Sequence, residues 1–313
     1  MVWAACGGGQ PAPAAASEHD EPFTSRKWDQ ILPAGAEGVV VIDVPRIAGS
    51  KLLSSPRLAE AVRAGLSALS TMAQQCEVGT ADIGHIVVAQ YPQGRYVAIL
   101  IGKMDEARAK RCLANTLETR GSSLVATELA GTRVFHSSNE RDGVWMAVPT
   151  AGVVVIANQR AGLREVLGST AERIAGTGSS LLSRAESLDQ SRTMWAVFKV
   201  PRIGGGLNAL RVLGLDRGLV ELSEVSAVID IAGGVDVRIG LSFPDPERAA
   251  RAHEFLRTTL ELWKPPEPYS AIVSAIQIAG NEREVTISLS LSQQNLEALL
   301  SNVTVGGQDR DGS

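Results

Sequence analysis

The chain of 313 residues is poor in aromatic side chains, with Phe, Trp and Tyr together at 4%, and it holds only three cysteines and four histidines. Three cysteines are too few for a disulfide framework or a cysteine-rich zinc module. His19, His85, His136 and His253 show no spacing that pairs any of them with a second strong ligand. His253-Glu254 also lacks the histidine four residues on that a zincin helix needs. The sequence therefore points to no metal, and no motif in it points to a cofactor. No run approaches the roughly 20 apolar residues of a membrane-spanning helix, which excludes a helical membrane bundle. An excess of either charge is missing too. Lys and Arg number 30 against 34 Asp and Glu, a net charge of −4, and only six of the basic residues are lysine. The arginines are interleaved with acids and not gathered with aromatics along one stripe, so nucleic acid is not an expected partner.

Catalytic signatures are equally scarce. There is no Gly-x-Ser-x-Gly elbow, and Gly178-Ser179-Ser180 falls in a connector. Gly204-Gly205-Gly206 lacks the Gly-Lys-Ser/Thr ending of a phosphate loop and reads as a joint between a strand and a helix. Asp43 and Asp230 interrupt apolar strands, and both read as strand-end charges that reach solvent. No residue is assigned a catalytic role.

What the chain does contain is an internal echo. Val40-Val41-Ile42-Asp43-Val44-Pro45-Arg46-Ile47 returns as Ala196-Val197-Phe198-Lys199-Val200-Pro201-Arg202-Ile203. Each copy reads as a buried strand, ended by a proline that cannot donate to a ladder, and then a helix. Hairpins follow over Ile83 to Ile101 and Val225 to Phe243, and each enters a helix at an aspartate N-cap, Asp105 or Asp245. Val125 to Ala157 then reads as a meander, and Ala271 to Ile278 with Glu284 to Leu291 as its shorter counterpart; a helix closes each copy. The fold class expected is α+β: two similar copies, each a mostly antiparallel sheet with helices packed on one face. The boundaries expected are a tether over 1–30, a first copy over 31–170, a connector over 171–190, a second copy over 191–303 and a disordered tail over 304–313. Arg46 and Arg202 occupy matching places and are candidates for paired ligand contacts.

The amino end reads Met1-Val2-Trp3-Ala4-Ala5-Cys6-Gly7-Gly8-Gly9 and continues through a Pro/Ala/Ser run. Ala4-Ala5-Cys6 with that following composition resembles the lipobox of bacterial lipoproteins. The sequence departs from the family's pattern at Trp3 and in having five residues before the cysteine, so the reading expects a leader encoded upstream. The resemblance implies acylation at Cys6, a membrane held through that anchor, and, with Gly7 in place of an aspartate, sorting to the outer membrane. In an oxidising periplasm Cys76 and Cys112 could form a disulfide; two buried free thiols are the other reading. The repeated layout, with Leu32-Pro33-Ala34-Gly35-Ala36 and Val153-Val154-Val155-Ile156-Ala157, is similar to periplasmic lipoproteins that repeat an α+β module.

The function expected is a non-enzymatic envelope lipoprotein that binds a protein or small-molecule partner, or serves as a scaffold, at a membrane surface. The alternative is a hydrolase or transferase with its site in a cleft between the copies, and a cytoplasmic location is the alternative to the periplasm.

Overall fold

The structure is a computed structural model, and it describes residues 32, 35–65, 76, 78–139, 143–168, 180–200, 222–267 and 269–305. The expectations for Cys6 and the tether, for Gly204-Gly205-Gly206 and for Arg202 lie outside the described residues.

The chain opens with β1 (Gly38–Asp43) and a single helical turn, α1 (Val44–Ala48). Asp43 ends the strand because its carboxylate accepts from the Arg46 N–H at 3.0 Å, satisfying a donor that the first helical turn leaves free. Ser55 and Pro56 then start α2 (Pro56–Gly65). The first hairpin is β2 (Ile83–Tyr91) and β3 (Arg95–Gly102), followed by α3 (Glu106–Glu118). Four more strands form a meander: β4 (Leu124–Leu129), β5 (Thr132–Ser137), β6 (Trp145–Thr150) and β7 (Val153–Ala157). After α4 (Arg160–Gly168) and α5 (Ser180–Ser187) come β8 (Met194–Lys199) and the hairpin of β9 (Glu224–Asp230) with β10 (Gly234–Ser242). The long helix α6 (Pro246–Leu262) leads through the short α7 (Ser270–Ala275) to β11 (Ile276–Asn281), β12 (Glu284–Ser292) and α8 (Gln293–Val305).

All twelve strands form one antiparallel sheet in the order β11-β12-β10-β9-β8-β1-β2-β3-β7-β6-β5-β4. This corrects the expectation of two sheets. The first strands of the two halves pair with each other, from Gly38 opposite Phe198 to Ile42 opposite Met194, and so remove the edge each would otherwise expose. Gly38 is needed there, since a Cβ on it would run into the Phe198 ring.

The expectation of helices on one face is also corrected. The run Val153-Val154-Val155-Ile156-Ala157 is apolar throughout because both faces of β7 are covered. On the back face α3 sets Ala109, Leu113 and Leu117 against Phe135, Met146 and Val154. Farther along that face, α6 sets Ala249, Ala252 and Leu256 against Leu241 and Val285. On the front face α4 and α5 bring Leu163, Val166, Leu181 and Ala185 to Val39, Val97, Ile99, Val155, Trp195 and Val197. That core crosses the β1–β8 seam, and each large side chain it removes from water contributes about 1.5–3 kcal/mol. A third correction concerns Ala271 to Ile278, read as a strand: it begins as α7, and only from Ile276 does it enter the sheet. Among the described residues no helix is long and apolar enough to cross a membrane.

A candidate binding groove on the front face

Strands β9, β10 and β12 alternate polar and apolar residues, and their register decides what meets. Asp230 stands opposite Asp236, Val228 opposite Arg238, and Arg238 opposite Ser288, with Ser290 opposite Asp236. All of these take the front, while Ile239 and Ile287 pack with α6 on the back and Ile229 and Val237 alternate to that same face. Val228 joins the front-face core beside Trp195, and beyond it the floor of the sheet becomes polar. Ser187 to Arg192, at the end of α5, form one wall, and Ala275 and Gln277 form the other. They enclose a groove of about 460 Å³.

Most charges in the groove are already matched. Arg192 donates from Nε to Asp189 Oδ2 at 2.6 Å and from Nη1 to Asp230 Oδ2 at 3.0 Å. Thr193 Oγ1 donates to the other Asp230 oxygen at 2.8 Å. Burial alone would raise the Asp230 carboxyl, but the bonds from Thr193 and Arg192 outweigh it and hold the group below the usual carboxylate range. Hydrogen bonds from Ser191 and then Arg192 bring Asp189 down to about 2. Asp236 accepts from Ser290 Oγ at 2.5 Å. Arg238 enters no ion pair among the described residues, so its guanidinium is the donor group left for an incoming molecule.

Beside the groove lies a denser cluster. Arg184, projecting from α5, donates from Nη2 to Glu284 Oε1 at 2.5 Å and to Ser226 Oγ at 3.3 Å, and its Nε is 3.4 Å from Glu224 Oε1. One arginine thus joins the helix to β9 and β12. Desolvation is the chief cause that raises the Glu224 carboxyl; Arg184 opposes it and Glu284 adds to it. The arrangement needs Gly240 underneath, because a Cβ there would lie 2.5 Å from both Glu284 Oε1 and Ser226 Oγ.

The residues singled out from sequence are placed as follows. Arg46 turns back on its own strand end, with Nε donating to Asp43 Oδ2 at 3.2 Å, and is half exposed. Asp43 caps a helix and Asp230 is bonded within the groove, so both strand-end charges have partners. Cys76 and Cys112 form a disulfide across 36 positions, tying the segment before β2 to α3. A disulfide marks an oxidising, extracytoplasmic setting. At the place expected for a cleft between copies, β1 and β8 are hydrogen-bonded neighbours, and the described residues assemble no active-site set there. Among them, no three His, Cys, Asp or Glu side chains converge as metal ligands. Arg184, Glu224 and Glu284 escaped the sequence reading, as did Asp189 and Arg192; Asp230 was singled out, but without its partners. The connector helix offered no motif, and only the strand register brings these residues together.

The fold thus defines an α+β protein built on one wide antiparallel sheet. No family model matches the chain, and no curated protein matches it. Among solved structures, crystal form III of TP0453 is similar at a TM-score of 0.47 and 12% identity, over 87% of this chain and 97% of that one. A likeness of that degree carries no function across.

Proposed function

We propose that the protein is a non-enzymatic envelope lipoprotein, acylated at Cys6 and held at the outer membrane, whose body binds a partner in the front-face groove. The observation that carries the binding role is the state of the groove's charges. Asp189 and Asp230 are held ionised by neighbours and Arg238 is left without an ion pair, an arrangement suited to recognising a polar partner and unsuited to proton transfer near neutral pH. The disulfide supports the envelope setting, and the lipobox-like Ala4-Ala5-Cys6 supports the anchor.

The body is, on this reading, an internal duplication fused through its first strands. Counting outward from the seam, one half runs β1, β2, β3, β7, β6 and the other β8, β9, β10, β12, β11. In each, the third strand leads to a helix capped by aspartate, with Asp105 and Asp245 accepting from the N–H three residues on at 2.7 and 2.9 Å. Strands β4 and β5 are then an addition to the first half.

Two measurements test the function. Expressed behind an export leader, Cys6→Ala should move the protein from the membrane to the soluble envelope fraction; unchanged partitioning removes the anchor. A photo-crosslinking residue at Ser288 or Gln277 should give a discrete adduct in intact cells that the same residue at Glu247, on the outer surface of α6, does not. Equal adducts at all three positions, or none in the groove, would remove the binding role.

A further inference from the structure

Five large apolar side chains are exposed among the described residues, and three of them, Leu262, Trp263 and Tyr269, fall within eight positions at the end of α6. Leu262 is 75% exposed, Trp263 57% and Tyr269 48%. A surface position of this kind is ordinarily polar, and the helix up to this point is: Arg257 pairs with Glu254 and Glu261 on its outer side. The local backbone explains how the three are held out. The Trp263 N–H closes the helix on the Thr259 and Leu260 carbonyls, Pro265 and Pro266 bar its continuation, and the Tyr269 N–H bonds back to Pro266 at 2.9 Å. The short helix that follows has no buried residue to draw the segment inward.

We propose that this tip docks on a phospholipid bilayer, with Leu262 and Trp263 entering the acyl boundary and Tyr269 and Lys264 at headgroup level. Two arguments select a bilayer over a protein. Tryptophan and tyrosine with an adjacent lysine are the side chains that favour a membrane interface, where an apolar body and a polar end are both accommodated. The three exposed side chains also offer on the order of 400 Å², about half the roughly 800 Å² per partner that a stable protein interface buries. A contact of that size is effective when another attachment already holds the molecule nearby. Glu261, Lys264 and Glu267 leave the tip without a basic cluster, so the contact is interfacial and apolar, not electrostatic.

The inference rests on the membrane location proposed above, and its test is made independent of the anchor. Purified full-length Cys6→Ala protein, which carries no acyl chain, is sedimented with phosphatidylcholine vesicles, with and without phosphatidylglycerol, in low and high salt. It should bind weakly in all four conditions, and the triple variant Leu262→Ser, Trp263→Ser, Tyr269→Ser should partition at least tenfold less. Circular dichroism melts confirm that both remain folded. Trp263→Phe keeps an apolar ring and should still sediment, yet should lose most of the quenching of tryptophan emission by lipids brominated along the acyl chain. Absence of sedimentation by the parent, equal sedimentation by the triple variant, or quenching that survives Trp263→Phe would each overturn the proposal. So would self-association of the parent, lost in the triple variant, without vesicle binding. None of these results alters the fractionation outcome for Cys6.

Discussion

At the scale of single residues, the two acidic sets near the groove respond to pH in opposite senses. The Glu224 carboxyl is raised on folding, so between the ordinary glutamate value and its folded one the native state binds more protons than the unfolded chain. Its effect on stability therefore worsens as pH rises through that window. Arg184 limits the loss. Replacing it, Arg184→Met, leaves Glu224 and Glu284 with only the more distant charge of Lys199 and should lower stability at pH 7 by roughly 1–3 kcal/mol, discounted because the side chains are partly in water. The deficit should shrink towards pH 4 as the raised Glu224 carboxyl protonates. Urea titrations at the two pH values check this, and an equal deficit at both would show that Arg184 acts through packing alone. Asp230 is the reverse case. Its folded carboxyl lies below the ordinary aspartate value, so its stabilisation is complete above that value and is lost as pH falls through the folded one. Asp230→Asn should cost about 1–2 kcal/mol at neutral pH, with Thr193 and Arg192 losing a charged acceptor; the cost should persist at pH 4 and fade only as pH drops below the ordinary aspartate value and through the lower folded one.

At the scale of elements, the disulfide is the strongest local constraint. Cys112 sits on α3 beside Leu113, and its bond to Cys76 closes a loop of 36 residues over the back-face core. Loop-closure entropy gives such a crosslink roughly 3–4 kcal/mol. The melting temperature should fall by several degrees when reductant is added, and a Cys76→Ser, Cys112→Ser protein should melt at the lower temperature with or without it. A reductant-insensitive melt of the parent would mean that the thiols are free. The same scale shows what the sequence could and could not convey. Helix starts at Asp105 and Asp245 were readable because a cap is a local exchange between a side chain and an N–H three residues away. The hairpins at 83–102 and 224–242 were readable from alternation and turn residues. The turn of α7 was not, because Ile272 and Val273 are good strand formers and only packing beside β11 and β12 decides otherwise. The groove was half legible. Ser288, Ser290, Asp236 and Arg238 each announce a polar face, but their convergence depends on the β9–β10–β12 register, which no single strand encodes.

At the scale of the whole molecule, the decisive feature is that the seam between halves is a paired, buried part of one sheet and not a linker. Trp195 is 2% exposed and stands opposite Val41 on one side and Val228 on the other, in a core that also holds Val39, Val97 and Val155. A side chain in that position is shared by both halves, and its loss should be felt in both at once. Trp195→Ala should destabilise by about 3–5 kcal/mol, the cost of a large cavity at a site whose neighbours are held by strand pairing. The whole described body should still melt in one transition, followed equally by backbone circular dichroism and by hydrogen exchange of amides in β3 and β10. If instead β3 retained its protection while β10 lost it, each half would be folding on its own core and the β1–β8 pairing would be a contact between independent units. Under the shared-core account, a chain cut between residues 168 and 180 should yield two pieces that are each less stable than the parent. Each would expose an unpaired first strand, and mixing them should restore the single transition because the seam is the lowest-energy partner for both edges.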